Sequence, residues 1–97
     1  MRIIARKALR DYGEQQPSAR DQLGAWYAEA RHAEWATPAD VKAKYGNASI
    51  LKEGRVVFNI CGNEYRLVVW INYEFFTVYI RLIGTHAEYD DINAQTI

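Results

Sequence analysis

A 97-residue sequence with one cysteine, two prolines and no run of more than five consecutive apolar side chains excludes several classes of protein. Cys61 has no second cysteine to pair with, so no internal disulfide supports the fold, and a single thiol suits a reducing compartment. The expected location is therefore the cytoplasm. The longest apolar run, Leu67 to Ile71, falls far short of the roughly 18 to 20 residues that cross a bilayer, so no membrane role is expected. Arg6 and Lys7 interrupt the N-terminal apolar residues before a signal-peptide core forms. Charge of one sign is also missing: twelve basic residues face twelve acidic ones, without the basic excess by which many nucleic-acid binders are recognised. Ten Lys/Arg and seven Asp/Glu lie in residues 1–55 against two and five in 56–97, so a phosphate-attracting field must come from local clustering. What is present in quantity is apolar: 49% hydrophobic with 13% aromatic residues excludes disorder and predicts one compact domain over residues 1–97.

MRIIA reads as a short strand, and KALRDYGEQQ sets Leu9 and Tyr12 three apart, as one face of a short helix does. Ser18 and Asp21 have the spacing of a capping box, which predicts a second helix from this point. Its apolar stripe, Leu23, Trp26, Ala30 and Ala33, carries it to about Glu34 with one buried face. Thr37-Pro38-Ala39-Asp40 repeats the start signal and Gly46-Asn47 supplies a stop, giving a short third helix over 38–45.

From Arg55 the period changes to two. Val56, Phe58 and Ile60 alternate with Val57, Asn59 and Cys61 up to the turn signal Gly62-Asn63, which implies a hairpin. In the next strand, 64–73, Tyr65, Leu67, Val69 and Ile71 share one face and Arg66, Val68, Trp70 and Asn72 the other. The strand 77–83 sets Val78, Ile80 and Leu82 against Thr77, Tyr79, Arg81 and Ile83. With the apolar faces packed under the helices, Arg66, Tyr79 and Arg81 emerge together on an uncovered sheet face. Thr85 to Glu88 is a third capping-box pattern, which starts a short terminal helix at His86 and aligns His86, Tyr89 and Asp90. Helices first and a meander second define an α+β fold: an antiparallel-rich sheet of about four strands, a helical hairpin on one face and a short C-terminal helix.

Two arginines on an open sheet face, with a histidine and a tyrosine just beyond the second arginine's strand, suit a phosphodiester. Cleaving RNA without a metal requires a base for the 2′-hydroxyl proton, cations for the charged phosphorane and an acid for the departing 5′-oxygen. Arginine offers two parallel hydrogen bonds to phosphate, and histidine exchanges protons near neutral pH. Each residue also has an ordinary structural explanation: a surface ion pair for Arg66 or Arg81, and helix capping for Thr85 and His86. Trp70 either stacks a base, covers the sheet or meets a partner protein. Lys42, Lys44, Lys52 and Arg55 form a phosphate-guiding patch or a solvated basic face. Cys61, with no histidine near it in sequence, is expected to pack. One cysteine and two distant histidines complete no zinc spacing, and no metal or cofactor is expected.

The segments FNICGNEYRLVVWINY, YIRLIGTHAEYDDI and AEWATPADVKAKYG resemble the HigB family of bacterial type II toxins, a branch of the RelE/ParE-like superfamily, over nearly the whole chain. The resemblance implies a βααβββ-type fold and an mRNA interferase acting on translating ribosomes, neutralised by a HigA-like helix-turn-helix antitoxin. It places Asn63, Tyr65, Arg66, Arg81, His86, Tyr89 and Asp90 in the family's motifs. Arg66, Arg81, His86 and Tyr89 are then the expected catalytic residues. Lys52, Arg55, Asn63, Tyr65, Trp70, Tyr79 and Asp90 are the expected substrate-binding residues. The superfamily also admits inhibition of DNA gyrase without RNA cleavage, and the sheet face admits a non-catalytic docking module.

Overall fold

The computed structural model describes residues 1–97. The chain runs β1 (Arg2–Ile4), α1 (Arg6–Gln15), α2 (Pro17–His32), α3 (Pro38–Lys44), β2 (Ser49–Ile50), a single 3-10 turn at Lys52–Gly54, β3 (Arg55–Ile60), β4 (Tyr65–Asn72), β5 (Thr77–Thr85) and α4 (His86–Asp90). The sheet has five strands in the order β1-β5-β4-β3-β2, antiparallel except where β1 pairs parallel with β5. The strand beyond the expected four is β2, two residues long and too short to show a period. No helix of the chain is long and apolar enough to cross a membrane.

α1 and α2 meet closely at Gly13, where a Cβ would come within 3.2 Å of the Arg20 side chain. Leu9, Ala19, Leu23, Trp26 and Ala30 face the sheet and pack on Val56, Phe58, Ile60, Leu67, Val69, Ile71 and Val78. Trp26, only 2% exposed, meets Phe58 edge-on at 5.3 Å between ring centroids, and Trp35 and Tyr45 close around the same phenyl ring. Burial of each large side chain in such a cluster contributes about 1.5 to 3 kcal/mol.

Two helix starts match their sequence signals and one does not. Thr37 with Asp40 and Thr85 with Glu88 form complete capping boxes. α2 begins instead at Pro17, without a side-chain cap, because the Ser18 hydroxyl is engaged with the Tyr65 hydroxyl at 2.6 Å.

The strand faces follow the alternation through β3 and β4 but not through β5. Val69 pairs with Ile80 and Val68 with Leu82, so Arg81 has no partner and bulges out of the ladder. A bulge adds one residue to a strand of period two and reverses every later side chain. Leu82 therefore joins the face opposite the helices, and Ile83 packs against the main core. That opposite face is not bare, contrary to expectation. Ala94 lies buried on Val57 and Val68, with Leu51, Leu82, Tyr89, Ile92 and Ile97 around them, so residues 91–97 cover its centre. The segment is held by a reciprocal pair of hydrogen bonds, Lys52 N–H to Gln95 Oε1 at 2.7 Å and Gln95 Nε2–H to the Lys52 carbonyl at 2.6 Å. The Arg55 Nε–H adds a bond to the Ile97 carbonyl at 3.2 Å.

Candidate active site

Arg66 lies in β4 opposite Asn59 of β3 and Gly84 of β5, next to the β3–β4 turn. It is 8% exposed, so its cation has lost most of its water and needs protein partners. Nη1 donates to the Asn63 carbonyl at 3.2 Å and the Tyr65 carbonyl at 3.1 Å, and Nη2 donates to Asn63 Oδ1 at 2.7 Å. The Tyr89 ring lies 5.9 Å from the guanidinium carbon. Arg66 takes part in none of the chain's ion pairs, and neither does Arg81. The ion-pair explanation therefore fails for both. Of the five N–H groups of the Arg66 guanidinium, Nε–H and one Nη2–H bond to no protein atom, a donor pair suited to two phosphate oxygens.

α4 stands at the end of the same strands. Its capping box fixes the start, with Glu88 N–H on Thr85 Oγ1 at 3.2 Å and Thr85 N–H on Glu88 Oε1 at 2.9 Å. The His86 N–H donates to the Glu64 carbonyl at 3.0 Å and ties the helix to the β3–β4 turn beside Asn63. Gly84 allows this approach, because a Cβ there would already meet the Glu88 side chain at 3.2 Å. One turn along α4, Asp90 Oδ2 sits 3.0 Å from His86 Nδ1, both side chains about half exposed. A carboxylate on Nδ1–H holds the tautomer in which Nε2 carries the lone pair. Arg66, Asn63 and Tyr89 thus form one cluster, an unneutralised cation with free donors, and α4, which supplies Tyr89, also carries the His86–Asp90 pair.

The other expected site residues lie elsewhere. Arg81, left without a partner by the bulge, is exposed at the sheet edge and lines a shallow hollow of about 250 Å³ with Leu82 of β5 and Asp11, Tyr12 and Gln15 of α1. Tyr65 is a core residue: buried, edge-on to Tyr12 at 6.0 Å, its hydroxyl on Ser18. Trp70 and Tyr79, direct cross-strand partners, stack at 4.9 Å on the Arg66 face, four residues or about 13 Å along β4 from Arg66. Arg55 pairs with Trp70, and Lys52 lies just before it, but the terminal segment engages the Arg55 guanidinium and the Lys52 backbone. Gly54 supports this end with φ +80°, and a Cβ there would come within 2.5 Å of the Ile71 carbonyl. Cys61, in the hairpin turn at φ 54°, donates its thiol to the Ser18 carbonyl at 3.2 Å, and burial pushes that thiol above its usual value. It is not a poised nucleophile.

Two neighbours escaped the sequence reading. Asn59 stands exposed beside Arg66, and its outward position was implicit in the alternation of β3. Gln95 lies in a segment without periodicity, and no sequence signal marks its bond to Lys52.

A small, mainly antiparallel sheet backed by a helical hairpin, with a basic and imidazole-bearing end closed by a short terminal helix, defines the class of RelE-like toxins. The profile of the HigB toxin family, described as the RelE-like toxic component of a toxin–antitoxin system, matches residues 19–92, and the chain belongs to that family. It is 33% identical to the mRNA interferase toxin HigB of Escherichia coli K12 over 97% of its own length and 92% of the relative's. The same figures hold for the mRNA interferase HigB of Shigella flexneri. An mRNA interferase HigB of Escherichia coli O6:H1 is 23% identical over 95% of this chain and 91% of the relative.

Proposed function

We propose that this chain, as one domain over residues 1–97, is a toxin that cleaves messenger RNA on translating ribosomes in the cytoplasm and is neutralised by a HigA-like helix-turn-helix antitoxin. The mRNA interferase names of relatives that align along almost the whole chain favour this over gyrase inhibition or a non-catalytic docking role. The observation that carries the chemistry is Arg66: buried, held in place, unneutralised and with two free N–H donors, next to the helix that carries an imidazole oriented by a carboxylate.

In this scheme His86 Nε2 accepts the proton of the ribose 2′-hydroxyl while Asp90 holds Nδ1–H and balances the imidazolium that forms. The 2′-oxygen bonds to phosphorus, and the free N–H groups of Arg66 receive the charge that builds on the two non-bridging oxygens. The phosphorus–5′-oxygen bond then breaks, leaving a 2′,3′-cyclic phosphate, and the departing oxygen takes a proton from the Tyr89 hydroxyl or from solvent. Asn63 is a positioning residue, fixing the plane of the guanidinium. Trp70 and Tyr79 contact flanking nucleotides along the same face, whereas Arg81 acts as a surface contact to RNA or ribosome from beside α1.

The test is to induce the parent chain and the His86→Gln variant in cells and map the 5′ ends of messenger RNA. The parent generates new ends within coding regions and the variant loses them. Growth inhibition with no new ends in the parent rejects the interferase function.

A further inference from the structure

Between α1 and α2, with no residue of the sheet or of α4 in its lining, lies a hollow of about 340 Å³ floored by Leu9 and Leu23. Arg6, Arg10 and Arg20 surround it, Gly24 and Tyr27 are in its wall, and Glu14 is its only carboxylate. The arginines are poorly neutralised. Arg10 reaches Asp11 only at 4.0 Å, and that carboxylate is already bound by Lys7 at 2.6 Å. Arg20 meets Asp21 at 3.6 Å with both side chains largely in water, a pair that contributes little. Arg6 sits in no ion pair and lies over the Tyr27 ring at 4.7 Å, with Arg31 over the same ring at 5.8 Å. Half of the eight arginines of a chain with no net charge thus gather at this one groove.

Gly24 is the second observation. A glycine inside a helix is unfavourable relative to alanine. Gly13, the other helical glycine, is needed for close helix packing, but a Cβ at Gly24 would meet nothing within 4 Å. No contact within the chain calls for glycine here, and its missing side chain leaves an open notch beside an aromatic ring and between guanidinium groups. Such a surface accepts an apolar side chain flanked by carboxylates. Nucleobases fit it less well, because guanidiniums already occupy the Tyr27 ring on which a base would stack.

We propose that this α1–α2 groove seats an acidic segment of the antitoxin, with an apolar side chain of that segment over Gly24 and its carboxylates on Arg10 and Arg20. The assignment of this partner rests on membership of a toxin–antitoxin family and on the function proposed above. The site lies on the helical layer, so its occupation and the cleavage chemistry are separable by mutation.

The test uses the full chain and a purified HigA-like antitoxin that neutralises it. Gly24→Leu fills the notch, and the double variant Arg10→Glu/Arg20→Glu reverses the rim; thermal unfolding confirms that each is folded. Each is expected to weaken binding to the antitoxin at least tenfold, with the binding of the parent chain falling as salt rises, while the parent rate of RNA cleavage persists and growth arrest is no longer rescued by co-expression. Binding within twofold of the parent for both variants overturns the proposal. So does loss of affinity for a 30-nucleotide RNA with antitoxin binding intact, which would make the groove an RNA surface. A parent chain that binds antitoxin through the groove but cleaves no RNA rejects the interferase function alone.

Discussion

Replacing Arg66 by lysine keeps one positive charge and removes the planar fork. In the native chain the fork serves two purposes, binding the Asn63 and Tyr65 carbonyls and Asn63 Oδ1 while leaving two donors free. A single ammonium cannot reach all three acceptors; Asn63 is exposed and its oxygens can turn to water, whereas the buried Tyr65 carbonyl left bare costs about 1 to 3 kcal/mol. With partial replacement by the ammonium, a net loss of about 2 kcal/mol is expected. For a domain of this size that lowers the melting midpoint by roughly 8 to 16 °C. The chemical loss is larger, because removing one oriented donor from a developing oxyanion slows a reaction about 10²- to 10³-fold. Ground-state affinity for RNA should change by less than about fivefold, since the charge that attracts phosphate remains. The assay is single-turnover cleavage of a short messenger RNA, on ribosomes if required, at a temperature where melting curves show both proteins folded. Cleavage by Arg66→Lys within threefold of the parent refutes the two-donor contact. A loss that only tracks the folded fraction makes Arg66 a structural residue.

Three further outcomes are expected. His86→Gln should cleave about 10²- to 10⁴-fold more slowly with RNA binding little changed; if instead Tyr89→Phe abolishes cleavage and His86→Gln does not, the main proton transfer belongs to Tyr89. Trp26→Ala should cost about 3 to 5 kcal/mol by denaturant titration, because the indole is buried against Phe58; a loss below about 1 kcal/mol contradicts the assigned core. Burial first, then the hydrogen bond to Glu29, hold the Tyr45 hydroxyl protonated above its usual value of 10.0, so unfolding releases its proton at lower pH than the native state does. Its contribution to stability is complete below about pH 10 and lost at higher pH, and Tyr45→Phe should flatten that alkaline decline in urea titrations.

Much of this architecture was legible because its causes are local. Thr37-Pro38-Ala39-Asp40 and Thr85 to Glu88 satisfy their own amides, and the alternation of β4 already separates Arg66 and Trp70 from Leu67 and Val69. What failed depends on distant partners. Ser18 has the spacing of a cap, but Tyr65, 47 residues away, takes its hydroxyl. The bulge at Arg81 is invisible to a period of two, and it leaves Arg81 without a partner and exchanges the roles of Leu82 and Ile83. The covering of Val57 and Val68 by Ala94 has no precursor in residues 91–97, which lack a regular pattern. Of the candidate site, the alignment of His86 with Asp90 follows from spacing, whereas the clamp that Asn63 places on Arg66 becomes visible only once the turn is folded.

The parallel pairing of β1 with β5 sets the order in which the sheet is completed. Arg2, Ile3 and Ile4 lie opposite Thr77, Val78 and Tyr79, each pair joining residues 75 positions apart, whereas β3, β4 and β5 are joined by short turns. Contacts across so long a separation close late, because the chain between them must first lose its freedom. Until then β5 keeps an open edge at Thr77–Tyr79, a row of unpaired amides and carbonyls on which another chain can add. A chain trimmed of Arg2–Ile4 keeps Asn63, Arg66, His86 and Tyr89, so its defect would be self-association, not loss of those groups.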